Sequence, residues 1–255
     1  MEYFWKQYHD LPEDVGYAHF SAPHVVTLIV IAILVTAAAI CFQRQDKRKQ
    51  DRILILIPWI MIGLECCKDI FLLSVHHFGV GYLPLHLCGL AVFVFLLEAH
   101  AKTSRWQTVF GEIAVTLILP GSVAALLFPD WTGLYPVLNF LNLYGFTWHG
   151  LLLLYPILLI ISGRVHLSVR HAHYDLLFLI CAAVPVYCFD RAFGCNYMFL
   201  NWPPKGTPLA WIAQMVGEQW YLAGYAVFSL IVIGIIYLFV YLFADRRREP
   251  GGMDV

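Results

Sequence analysis

The chain has 255 residues, of which 60% are hydrophobic and only 13% charged, with a mean hydropathy of +0.71 and a formal net charge of -1. That composition excludes an ordinary water-soluble domain of this length, and it offers no basic excess for nucleic acid. Seven cysteines, at 41, 66, 67, 88, 181, 188 and 195, show no zinc-type spacing and imply no disulfide framework, although Cys188 and Cys195, near the outer face, could pair if that side is oxidising.

Apolar runs long enough to cross a hydrocarbon core of roughly 30 Å as helices recur seven times. They cover residues 24–42, 53–76, 84–100, 107–128, 137–162, 174–190 and 219–243. None alternates as a barrel strand would, so the fold class is all-α, a polytopic membrane protein built as one seven-helix transmembrane domain over residues 1–255. Residues 1–23 carry no basic segment ahead of a short apolar core, so they do not read as a cleaved signal peptide. The loop "QRQDKRKQDR" and the tail "DRRREP", with the third-to-fourth and fifth-to-sixth loops, hold twelve of the 16 Lys and Arg residues. Lys6, Arg191 and Lys205 fall on the other side and Lys68 lies within a span. The positive-inside rule then predicts an external N-terminus and a cytoplasmic C-terminus.

The second span carries "GLECCKD", in which Glu65, Lys68 and Asp69 share about one turn and can partly neutralise one another. A carboxylate here could orient a histidine, or the charges could simply pin helices together. The third span opens with "GYLPLHLC", where Pro84 suits a first helical position. A span starting there points Cys88 back toward the unsatisfied N–H groups and positive dipole of its first turn. His86, two residues away, would then lie on nearly the opposite face. The fifth span holds His149 in "LYGFTWHGLLLL", where Gly145 and Gly150 would allow close helix approach. Counted by helical rise, Cys88, His149, Glu65 and Asp69 fall in one layer about 6 to 12 Å below the outer boundary. Asn142 shares the span of His149, and His24 opens the first span. His166, His171 and His173 belong to the fifth-to-sixth loop and read as solvated. Residues 191–218, on the outer side, combine Gly and Pro with Tyr197, Phe199, Trp202 and Trp211, a lid or interfacial cap rather than a tether.

A cysteine and a histidine on neighbouring helices are the minimum apparatus for acyl transfer through a thioester. Buried in apolar surroundings, Cys88 needs a proton acceptor from another helix, and His149 is the candidate. Two other readings compete. One is a zinc-dependent lipid hydrolase using His24, Glu65 and His149, although no close ligand pair such as HxxxH occurs. The other is a transporter or receptor, suggested by the seven spans and intramembrane charges.

"LPLHLC", a histidine in a Gly-flanked span some sixty residues on, and "GCNYMFLNWPP" after the sixth span together resemble the YwaF-like family of bacterial integral membrane proteins. That family is similar to the eukaryotic transmembrane protein 164 family, and the resemblance extends to His24 and Glu65. It implies a phospholipid acyltransferase with no cofactor or metal, whose cysteine and histidine carry over to Cys88 and His149. It also implies phospholipid or lysophospholipid substrates and a bacterial cytoplasmic membrane. Asn196 and Tyr197 would then hydrogen-bond the headgroup or the oxyanion, with His24, Glu65, His86 and Asn142 in support. More remotely, the androgen-induced intramembrane lipid hydrolases are similar, with a threonine as nucleophile. Gly89 after the cysteine and Cys195 before Asn196 depart from the family pattern.

Overall fold

In a computed structural model, residues 2–242 are described, and every one of the seven apolar runs is helical within them. α1 spans Ala22–Gln43, α2 Lys47–Ser74, α3 Leu87–Ala99, α4 Ser104–Ile113, α5 Leu119–Leu127, α6 Phe140–Ile161, α7 Ala172–Phe193, α8 Pro208–Val216 and α9 Tyr221–Val240. A π-helical turn, Ala114–Ile118, joins α4 to α5 so that Ser104–Leu127 runs as one rod. Residue 243 of the last expected span and the basic tail lie outside the described residues.

Five helices are long and apolar enough to cross a membrane: α1, the α4–α5 rod, α6, α7 with its preceding turn, and α9 with its preceding turn. The other two depart from the expected count of seven for different reasons. α2 is 28 residues long but carries Glu65, Lys68 and Asp69 in its apolar half. α3 has only 13 residues, a rise of about 20 Å, and it starts at Leu87 rather than at Pro84. Leu83, as the residue before a proline, is held extended (φ -67°, ψ 151°), and His86 is extended too (φ -67°, ψ 155°). Residues 83–86 therefore fold back along the outside of the first turn instead of joining it. Pro84 lies against Gly89 so closely that a Cβ there would meet the Pro84 backbone at 2.8 Å. Glycine after the cysteine is what lets the loop wrap the helix start.

α6 is the centre of the bundle, packed against α1, α2, α3 and α5. Its side chains Leu152, Tyr155, Leu158 and Leu159 meet Leu54 and Met61 of α2 and Phe95 of α3 in one core. α1, α7 and α9 bury few residues and keep apolar side chains on their outer faces, as lipid-facing helices do.

Polar networks close both ends. At the basic end, Glu98 of α3 is fully buried, and its oxygens take Arg164 Nε at 2.7 Å and the Tyr155 hydroxyl at 2.6 Å. Arg164 also reaches Asp51 at 3.2 Å, tying α2, α3 and the turn after α6. His171, expected to be solvated, instead pairs through Nδ1 with the buried Glu112 at 2.8 Å. At the opposite end the N-terminal segment is stitched to the α5–α6 connection, with Asn139 Nδ2 donating to Tyr3 and Lys6 carbonyls at 2.8 Å each. Removing one partner of a buried ion pair costs about 3–5 kcal/mol, whereas replacing both by apolar groups costs little. Arg164→Met is therefore expected to lower stability by about that amount, and Arg164→Met with Glu98→Leu to recover most of it, measured by SDS-titrated unfolding in mixed micelles.

Candidate functional site

The site lies at the start of α3. His86 is its N-cap residue but makes no side-chain capping bond, and its carbonyl accepts from Gly89 and Leu90 at 2.9 Å each. The N–H group of Leu87, first in the helix, has no hydrogen-bond partner among the described residues, and that of Cys88, second in the helix, faces its own thiol. Cys88 is half-buried and a free thiol, as are the other six cysteines, so Cys188 and Cys195 do not pair. The thiol thus sits beside the N–H groups of Cys88 and Gly89 at the positive end of a helix dipole. The carboxylates within electrostatic reach of it are Asp130 and Glu65.

His149 is buried in α6, and Trp148 beside it donates from Nε1 to the Cys88 carbonyl at 3.1 Å. That bond fixes the two helices at the level of the candidate pair. His149 Nδ1 lies 2.7 Å from the Gly145 carbonyl. A carbonyl only accepts, so the neutral ring carries its proton on Nδ1 and leaves a lone pair on Nε2. The imidazole stacks on the Trp131 indole, with centroids 4.9 Å apart and planes at 15°. Gly145 makes room for that indole, since a Cβ would come within 2.8 Å of it, while Gly150 is in ordinary contact with Ile31 of α1. Gly145 therefore admits a tryptophan from a loop, where sequence reasoning expected a helix. Cys88 Sγ and His149 form no hydrogen bond among the described residues.

The remaining expected residues divide by what their polar atoms touch. His24 is fully buried with both nitrogens engaged, Nδ1 accepting from Phe20 N–H at 2.8 Å and Nε2 against the Leu126 carbonyl at 2.9 Å. It has neither a lone pair nor a proton to offer a substrate or a metal. Glu65 accepts from Tyr144 and Lys68 rather than from a histidine, and Lys68 continues to the Tyr82 carbonyl at 3.2 Å. Asn142 is buried between the Tyr17 hydroxyl (3.0 Å) and the Val137 carbonyl (2.9 Å). Tyr197 has its hydroxyl between the Val80 carbonyl (2.5 Å) and Leu83 N–H (2.8 Å). Asn196 spends its amide on Asn201 and Trp202 of its own loop. His86 accepts Met198 N–H on Nδ1 at 3.1 Å.

Two cavities open beside the helix start. One, of about 340 Å³, is lined by His86, Asp130, Cys195, Asn196, Tyr197 and Phe199 among others; the second, of about 310 Å³, by Tyr17, His19, Asp130, Thr132 and Lys205. Neither Cys88 nor His149 is on their walls, so both cavities flank the thiol rather than enclose it. Asp130, common to both, was not singled out from sequence. The signal available was an acid after a proline and before a tryptophan, in "FPDW", and nothing in that string says the loop crosses toward α3. Asp130 is exposed, but to the cavities, and desolvation raises its carboxyl above the usual value although His19 nearby opposes this. An acid whose folded-state value is raised holds its proton more tightly folded than unfolded, so it weakens the fold as pH rises through that interval. Asp130→Asn is expected to raise the thermal midpoint in detergent at pH 7–8 and to leave it unchanged below the ordinary aspartate range, near pH 3.

Among the described residues no group of three or more His, Cys, Asp and Glu side chains is placed to hold a metal ion. No curated protein and no solved structure matches the chain. A family model described as the TMEM164 family matches residues 19–237. The match runs from just before α1 almost to the end of α9 and takes in every element that builds the site, and on that coverage the chain, a membrane protein, belongs to the TMEM164 family.

Proposed function

We propose that this protein is an intramembrane phospholipid acyltransferase that carries the acyl group as a thioester on Cys88. The observation that carries the reading is the thiol at the second position of a helix, facing the N–H groups of that helix's first turn, with an imidazole of fixed tautomer on the adjoining helix. His149 Nε2 takes the Cys88 proton as sulfur bonds to the ester carbonyl carbon and the π pair moves onto oxygen. The N–H groups of Leu87 and Cys88 stabilise that oxyanion. As the carbonyl re-forms, the C–O ester bond breaks, and the protonated imidazole delivers its proton to the departing lysophospholipid alkoxide. An acceptor hydroxyl then gives its proton to His149 as its oxygen attacks the thioester, and the released thiolate recovers that proton. Water in the acceptor's place gives hydrolysis. The resting separation of sulfur and imidazole is compatible with this, because such contacts close when substrate binds.

The same reading places the basic end in the cytoplasm, the N-terminus outside, α2 and α3 as two further spans, and Cys88 at the depth of outer-leaflet ester groups. It assigns the chain to the YwaF-like branch and to a bacterial cytoplasmic membrane, with residues 191–218 as the outer lid. The phospholipid class of substrate is supported by the position of the thiol at one end of an apolar bundle.

Purified protein in phospholipid vesicles with a lysophospholipid acceptor tests the proposal. Wild type is expected to show a hydroxylamine-labile acyl group on Cys88 by mass spectrometry. Cys88→Ala abolishes transfer, and His149→Ala lowers it by about 10²–10⁴-fold. Undiminished transfer by Cys88→Ala overturns the reading. Gly145→Ala leaves both reacting groups in place but displaces Trp131 from the face of His149, and it is expected to lower kcat by up to about 10²-fold with KM little changed.

A further inference from the structure

The acyl-transfer steps above leave one imidazole of the site unused. His86 is extended, outside the helix, so the helical spacing that would set it away from Cys88 does not apply. Its Nδ1 accepts the Met198 N–H at 3.1 Å, and an N–H only donates, so the neutral ring carries its proton on Nε2. That Nε2–H has no partner among the described residues, and the ring lines the 340 Å³ cavity. Tyr197 and Phe199 hold the ring between centroids at 4.9 and 5.3 Å.

The group that sets this tautomer is itself strained. Met198 and Phe199 are consecutive left-handed residues, with φ of 52° and 56°, a conformation costing roughly 1–2 kcal/mol per non-glycine residue. Buried Tyr197, Met198 and Leu200 hold the turn in place. The strained turn aims the Met198 N–H at the ring. His149 has the opposite arrangement, a proton on Nδ1 and a lone pair on Nε2, and lies within electrostatic reach of His86. One imidazole accepts a proton where the other can only donate.

We infer that His86 is a catalytic residue that donates its Nε2–H to the ester carbonyl oxygen as this becomes an oxyanion, joining the N–H groups at the start of the helix. A neutral imidazole is suited to polarising a carbonyl without surrendering its proton. The inference rests on the acyl-transfer reading of Cys88.

His86→Asn keeps an acceptor facing Met198 and removes the donor; His86→Gln keeps a donor near the Nε2 position and loses the acceptor. In the vesicle assay His86→Asn is expected to lose about 10²–10³-fold in kcat with KM within about threefold, and His86→Gln at most about tenfold. Acyl-Cys88 formation follows the same order. Alkylation of Cys88 by iodoacetamide at the wild-type rate reports an intact site in each variant. The reverse order, or equal losses, shows that His86 only anchors the Met198 turn and overturns the inference. If His86→Asn does not fold, a folded His86→Gln that loses about 10²-fold or more overturns it alone. Full activity in His86→Asn with none in Cys88→Ala removes His86 and leaves the acyl-transfer reading standing, whereas activity in Cys88→Ala removes that reading itself.

Discussion

The Tyr197 hydroxyl is the contact on which the site depends. It donates to the Val80 carbonyl and accepts from the Leu83 N–H, so one phenol beyond α7 fixes the chain that leads into α3. Because that chain is held extended, His86 becomes the cap rather than a helical residue, and Leu87 and Cys88 take the first two positions of the helix. The same turn sends the Met198 N–H to His86. A segment distant in sequence thus decides both the reach of the third helix and the protonation pattern of its first imidazole. Gly89, whose missing side chain lets Pro84 lie on the helix surface, gives the same loop its close approach.

The bundle keeps its polar atoms in two separate places for a reason common to membrane proteins. Where water is absent, each buried donor or acceptor must find an internal partner. The basic end meets that demand with Arg164, Glu98, Tyr155 and Asp51, in which both oxygens of a fully buried carboxylate are occupied. The opposite end meets it with Asn139, Asn142, Tyr17 and Gln7, which sew an N-terminal segment across the mouth of the bundle. The candidate site lies beside this second network. There, among the described residues, the Leu87 N–H, one imidazole N–H and one imidazole lone pair are left without partners. Buried polar atoms without partners also occur at Glu112, Trp131, Asp175, Asp190 and Tyr237, so the site is one of several places where the internal pairing is incomplete.

Hydropathy located every long helix, though not α8 inside the expected lid, because a run of apolar residues in a chain this poor in charge has few other ways to satisfy its backbone. It misjudged α3 because Pro84 suits a helix start and an extended loop equally, and the choice is made by Tyr197, more than a hundred residues away. Cys88 and His149 were singled out by residue type, and the Trp148 bond joins the helices that carry them. His24 was not, because a histidine at a helix start looks the same in sequence whether its nitrogens are free or both engaged. Glu65 was recognised as part of a charge cluster, but its tyrosine partner comes from another helix. Asp130 and the left-handed pair at Met198 and Phe199 had no local signature at all, since each acquires its meaning from a loop packed onto the α3 entrance.

The 13 residues of α3 have a consequence for the lipid around them. A rise of about 20 Å falls some 10 Å short of an average hydrocarbon core, a deficit that a bilayer meets by thinning or that the protein meets by drawing polar groups inward. In this chain the missing length is on the side of the LPLH loop, whose extended backbone and histidine replace the turns a longer helix would have supplied. On the proposed reading, with α3 as a span, phospholipids packed against that face would meet a polar step rather than a continuous apolar wall. Hydrophobic mismatch at this one short helix would then draw the headgroup region inward there and bring ester carbonyls toward the thiol.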